Sequence, residues 1–193
     1  MAEQPPSRED EVADADHPAH VRTRPLRRHA RLPRFRLAPI LVAWLGAFAG
    51  IAVLILVVEL LPMLQLLLIG SFGASAVLLF GAPRAPFSQP RNLIGGHVIS
   101  ALVGVACYRF LPDVMVVQEA AAVATAIALM MATHTLHPPG GATALIAVIG
   151  PDAVHGLGWA YVFPVLMGAV LMMLVAVVSN NLFERGSYPD RWD

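Results

Sequence analysis

Three histidines, His97, His134 and His137, sit beside hydroxyls and glycines inside otherwise apolar sequence. An imidazole exchanges a proton near neutral pH. Ser71, Ser75 and Thr143 add hydroxyls, Gly73 lies among them, and Arg91 and Asn92 add a cation and an amide at the edge of an apolar run. This donor-rich set, without a carboxylate, suits a small anion and the movement of a proton. It does not suit a metal: His134 and His137 stand at i and i+3, but no Cys, Asp or Glu accompanies them within the run. Neither glycine cluster has a Walker or dinucleotide pattern, and no hydrolytic triad is visible, so neither an enzyme nor a cofactor is expected.

The stretch "HTLHPPGGATAL", residues 134 to 145, concentrates these groups. Pro138 and Pro139 lack backbone donors and bias His137 away from helical geometry, which predicts a helix end near Leu136. Gly140 and Gly141 permit a turn, and a new helix from about Gly141 leaves its first amides unpaired. Such amides at membrane depth must be covered by protein or line a wet cavity. A helix amino end there, with the Thr143 hydroxyl, is a candidate anion site. The earlier "GSFGAS", residues 70 to 75, offers similar parts in Ser71, Gly73 and Ser75. Each helix end contributes ~0.3–2 kcal/mol, so several must converge to reach millimolar affinity, near ~4 kcal/mol.

Every one of these residues also has a plainer reading. His137 could cap the preceding helix, His134 could make an interhelical hydrogen bond, and His97 could sit at a helix interface. Arg91 and Asn92 could anchor and cap a loop rather than form an anion vestibule. The glycines, serines and Thr143 could serve close helix packing.

The elements that must position these groups lie in a membrane. Of 193 residues 57% are hydrophobic and 13% charged, against roughly 25% charged in soluble domains. Residues 1–36 carry six acids and Arg8, then seven arginines from Arg22 to Arg36, and no apolar run. This segment reads as a disordered cytoplasmic tail, with a nucleic-acid role not expected. The basic block before the first span holds that end in the cytoplasm.

A span needs about 20 apolar residues. The runs are 39–58, 63–82 interrupted by "GSFGAS", 95–111, 118–137 and 161–183, before a polar tail from about residue 185. Residues 138–150 are too short for an ordinary crossing and fit a re-entrant or completing segment. "GASAVLL" at 73–79 and "GATALIA" at 141–147 share a core at an offset of 68, which also lays run 95–111 over 163–179. Two three-element halves, the second inverted, would follow, and interrupted helices at matching positions point to a transporter site. The expected fold is therefore all-α: a polytopic transmembrane helix bundle, residues 37–184, with half helices.

"HPPGGATAL" at 137–145, "GSFGASAVLLFGAP" at 70–83 and "QPRNLIGGH" at 89–97 together resemble the HPP family of integral membrane proteins across about residues 39–183. The resemblance implies a small polytopic protein usually described with four spans, whose plant and cyanobacterial members are associated with nitrite transport. Two classes of function remain open. One is a transporter or channel for a small monovalent anion such as nitrite, with substrate at the breaks 70–75 and 137–143. The other is a non-transporting anchor, sensor or scaffold. Anion uptake against a negative interior costs ~2.3 kcal/mol per 100 mV, which favours proton coupling, with His137 the preferred carrier, or passage of the neutral acid, whereas export or a simple channel needs no such residue. The expected setting is the lipid bilayer of a bacterial plasma (inner) membrane, with the protein as a homo-oligomer.

Overall fold

A computed structural model describes residues 37–61, 70–183 and 186–192. The acidic and arginine-rich tail, 1–36, and residues 62–69 of the second run lie outside the described residues.

Among the described residues seven α-helices make the bundle. Helix α1, Leu37–Leu60, is 24 residues long; α2, Gly70–Ala76, widens into a π turn over Val77–Gly81; α3 is Pro90–Phe110. Helix α4 is Met115–Ala132, α5 Pro138–Ile149 and α6 Asp152–Leu157. A 3-10 turn, Gly158–Tyr161, leads into α7, Val162–Phe183. At ~1.5 Å per residue, α1, α3, α4 and α7 reach or approach the ~30 Å of a hydrocarbon core. Helix α5 and the Gly70–Gly81 segment are 10–17 residue apolar helices, too short to cross alone. Among the described residues four long and two short apolar elements thus coexist.

Helix α1 packs on α7, α3 on α4, α5 and α7, and α2 on α1, α5 and α7, with α5 also against α4. Exchanging α1 with α4, α2 with α5 and α3 with α7 leaves this set of pairings unchanged. The connections fix direction. Tyr188 Oη donates to Ser88 O at 2.8 Å, and Asp190 N to Gln89 Oε1 at 2.9 Å, so the carboxyl end joins the 82–91 loop. At the opposite end Tyr108 stacks on His155 at 3.9 Å and Phe110 approaches Trp159 at 6.3 Å. Helix α5 therefore starts at the first end and its exit reaches the second, against the direction of α2. The half-length element completes a traverse rather than returning, and the two halves run in opposite senses.

Three boundaries differ from expectation. Helix α3 begins at Pro90, not near 95, because proline fits the first turn, where an amide would be unpaired. For the same reason α5 begins at Pro138, ahead of Gly141. Helix α4 ends at Ala132, short of Leu136, because His134 takes a left-handed φ of 56°. Its N–H then bonds Met131 O at 3.2 Å and that of Thr135 bonds Met130 O at 2.8 Å, a Schellman closure. The polar carboxyl tail is also better held than composition suggested: Ser187 and Tyr188 are buried against the bundle end. "GSFGAS" itself is helical and not a break in the described chain.

Candidate functional site

Ser71 and Ser75, one turn apart on α2, face inward, whereas Gly73 lies exposed on the outer face. His97 lies seven residues into α3, ~10 Å below its start. His137 is the residue before α5, and Thr143 follows on the buried side of that helix. Ser71, Ser75, His97, His137 and Thr143 are each 0% exposed, so bulk water does not reach them.

They satisfy one another. Ser75 Oγ stands 2.9 Å from His97 Nε2 and 2.9 Å from His137 Nε2. It also lies 3.1 Å from Ser71 O, to which it can donate. His97 Nδ1 is 2.8 Å from Thr143 Oγ1, which is 2.9 Å from Ser71 Oγ. His137 Nδ1 donates to the Phe87 carbonyl at 2.7 Å. Buried polar groups without partners would each cost about 1–3 kcal/mol, and this closed set avoids that. Ser75 and Thr143 are the residues paired by the offset of 68, so equivalent hydroxyls of the two short helices hold opposite nitrogens of one imidazole.

Close packing keeps the set dry. A Cβ on Gly96 would lie 2.9 Å from Thr135 O, and one on Gly140 would lie 2.7 Å from Ser100 Oγ and 3.0 Å from Gly96 O. Pro139 is buried and Pro138 exposed. Gly141 has room around it, with Val123 Cγ1 3.8 Å from a Cβ built there. The Phe72 ring closes the other side of His97 at 5.0 Å.

Arg91 and Asn92 stand apart from this knot and serve the irregular segment 133–137. Arg91 Nη2 donates to Thr133 O at 3.1 Å and Asn92 Nδ2 to Leu136 O at 2.8 Å, so carbonyls freed by the end of α4 are answered. The two residues also line an open cavity of about 630 Å³ with Pro86, Met131, His134, Leu136 and Arg191. His134 is exposed there, three residues from His137 but not part of the knot.

Three partners escaped sequence reasoning. The Phe87 carbonyl belongs to the backbone of a loop and has no side-chain signal. Tyr161 Oη donates to Thr143 O at 3.3 Å from the far end of the bundle. Gln89, 1% exposed, donates to Pro83 O and Ala85 O and accepts from Asp190 N and Arg191 N, which fixes Arg191 at the cavity. Its place in "QPRN" before a helix was the available clue.

The fold and site define a multi-pass all-α membrane protein with a dry histidine–hydroxyl knot between two short helices. The sequence matches the family described as HPP, transmembrane region, over residues 32–189, and the chain belongs to that family. Two Dictyostelium discoideum proteins described as transmembrane proteins are similar to it. One is 47% identical over 155 residues, 77% of this chain and 54% of the relative. The other is 43% identical over 156 residues, 78% of this chain and 50% of the relative. The chain thus spans about half the length of these curated relatives. No solved structure matches it significantly.

Proposed function

We propose that the chain carries a small monovalent anion, nitrite or an analogue such as nitrate or formate, across the membrane together with a proton. The supporting observation is a juxtaposition: the cavity lined by Arg91, Arg191, Asn92 and His134 also contains Leu136, the residue next to buried His137. Cations and an amide there attract and orient an anion. The imidazoles beyond provide a route for the proton that cancels its charge. Nitrite is the anion that the resemblance to plant and cyanobacterial HPP members implies.

In this reading the anion first occupies the cavity, and its passage requires the packed knot at Ser71, Ser75 and Thr143 to open. These knot residues are then the gate rather than the resting seat. The end carrying Arg84, Arg91 and Arg191 faces the cytoplasm by the positive-inside rule, in a bacterial plasma membrane. A homo-oligomer belongs to the same proposal, since a few short elements make a thin wall around a pathway.

The test is nitrite flux into liposomes containing the purified full chain, with nitrate and formate as competitors. The reading expects flux above protein-free liposomes and competition by the other monoanions. Absence of flux for all three would leave the anchor or scaffold role in its place.

A further inference from the structure

We propose that His97, Ser75 and His137 form a buried binding site for one proton, whose occupancy sets the direction of the hydrogen bond between Thr143 on α5 and Ser71 on α2. This deepens the transport reading by giving the coupling proton a seat, but its chemistry stands on the hydrogen bonds alone.

One end of the chain is fixed. A carbonyl only accepts, so the 2.7 Å contact to Phe87 O requires a hydrogen on His137 Nδ1. In the neutral ring Nε2 is then a lone pair aimed at Ser75 Oγ. His97 has two choices. With its hydrogen on Nε2, it donates to Ser75, Ser75 donates to His137 and Thr143 donates to His97 Nδ1, and Ser71 must then turn to donate to Thr143, the reverse of the direction in which the structure places that bond. Each contact among these side chains then holds one hydrogen, with the Ser75 hydrogen on His137 rather than on Ser71 O, and every group is neutral.

The other choice begins at the Thr143–Ser71 contact of 2.9 Å, where Thr143 is placed to donate to Ser71. Thr143 must then accept from His97 Nδ1–H across 2.8 Å. Both Nε2 atoms now present lone pairs to Ser75 at 2.9 Å each, and the hydroxyl has one hydrogen. This arrangement fills all its hydrogen bonds when one further proton sits on either Nε2. The imidazolium Nε2–H passes its proton to Ser75 Oγ as Ser75 passes its own to the facing Nε2. One N–H bond breaks and one forms, and the pair carries a single positive charge throughout. The neutral and protonated states therefore differ by one proton and by the sense of two bonds, His97–Thr143 and, between the two short helices, Thr143–Ser71.

The surroundings explain why such a proton would travel with an anion. The rings meet Phe72 and Ser75 of α2, Thr143 of α5 and the Phe87 carbonyl, with Ser71 Oγ and the Tyr161 hydroxyl on Thr143 and Met130 of α4 beside Gly96. Among the described residues no charged side chain is buried. An unpaired buried charge is costly, so an anion drawn inward from the cavity is the partner that makes the protonated state favourable.

Histidine ¹⁵N spectra of the labelled full chain in lipid bilayers test this without any transport assay. At high pH the expected signals are complementary: His137 protonated on Nδ1 and His97 on Nε2. Acidification should shift both rings together as one proton is taken up. Ser75→Ala should abolish that joint change, with each ring titrating alone, and Ser75→Thr should keep it. If wild-type His97 and His137 hold the same neutral tautomer at high pH, or titrate independently, the proposal is overturned on the wild-type protein alone. Joint titration in a chain that moves no anion would overturn the transport reading and leave the proton site standing.

Discussion

His97 and His137 face each other with ring centroids 4.9 Å apart, and a single hydroxyl, Ser75 Oγ, lies within hydrogen-bond distance of both. The two rings come from segments on either side of α4, and the hydroxyl comes from a third element.

Removing that hydroxyl should therefore disable both rings together. Ser75→Ala leaves buried nitrogens unpaired at about 1–3 kcal/mol, and nitrite flux should fall by about tenfold or more, the equivalent of ~1.4 kcal/mol. Ser75→Thr should retain most of the flux. Equal activity of the alanine and threonine variants in liposomes would remove the hydroxyl from the mechanism.

The arginines of the cavity should act on affinity rather than turnover. Arg91→Gln or Arg191→Gln deletes an exposed charge worth about 0.2–1 kcal/mol to an ion, so the nitrite concentration for half-maximal flux should rise about 1.4- to fivefold. A fall in maximal flux at unchanged half-saturation would place these residues elsewhere in the cycle.

Two glycines should separate packing from mere flexibility. A Cβ on Gly104 would run into the Ala144 carbonyl and lie 2.6 Å from Ala147 Cβ, whereas Gly73 has nothing within 4 Å. Gly104→Ala should lower stability by about 1–3 kcal/mol through overpacking. Gly73→Ala should be neutral or gain up to ~1 kcal/mol of helix propensity. Thermal unfolding in detergent would contradict this if the two variants behaved alike.

The carboxyl tail gives a pH signature. Burial pushes the Tyr188 phenol well above its ordinary value, which keeps it a donor to Ser88 O. Its contribution is complete below the unfolded pKa of ~10 and is lost as pH rises beyond, because the unfolded chain then releases a proton that the folded chain keeps. Tyr188→Phe should lose about 0.5–1.5 kcal/mol at neutral pH and show a smaller alkaline decline. A steeper alkaline decline in Tyr188→Phe unfolding curves would refute the assignment.

Much of this arrangement was legible in sequence where one residue type had one physical consequence. Apolar runs located α1 and α7 within a few residues, and the shared "GAS" and "GAT" cores anticipated that Ser75 and Thr143 occupy equivalent places. Five of the twelve candidate site residues form the knot. The end of α4 was not legible, because a left-handed histidine at His134 is a choice made by tertiary context in a position glycine usually takes. The clasp of Gln89 and Tyr188 was missed because a polar tail reads as solvated until its partners are known. The Phe87 carbonyl, which fixes the tautomer of His137, is invisible to any reading of side-chain types.

The most direct test of a proton travelling with the anion is lumenal pH in proteoliposomes exposed to an inward nitrite gradient. Protein-free liposomes of the same lipid give the background from nitrous acid crossing unaided. Lumenal acidification faster than that background is expected with the wild-type chain, and background acidification with Ser75→Ala. Nitrite entry through the wild-type chain with no acidification above background would contradict proton-coupled passage.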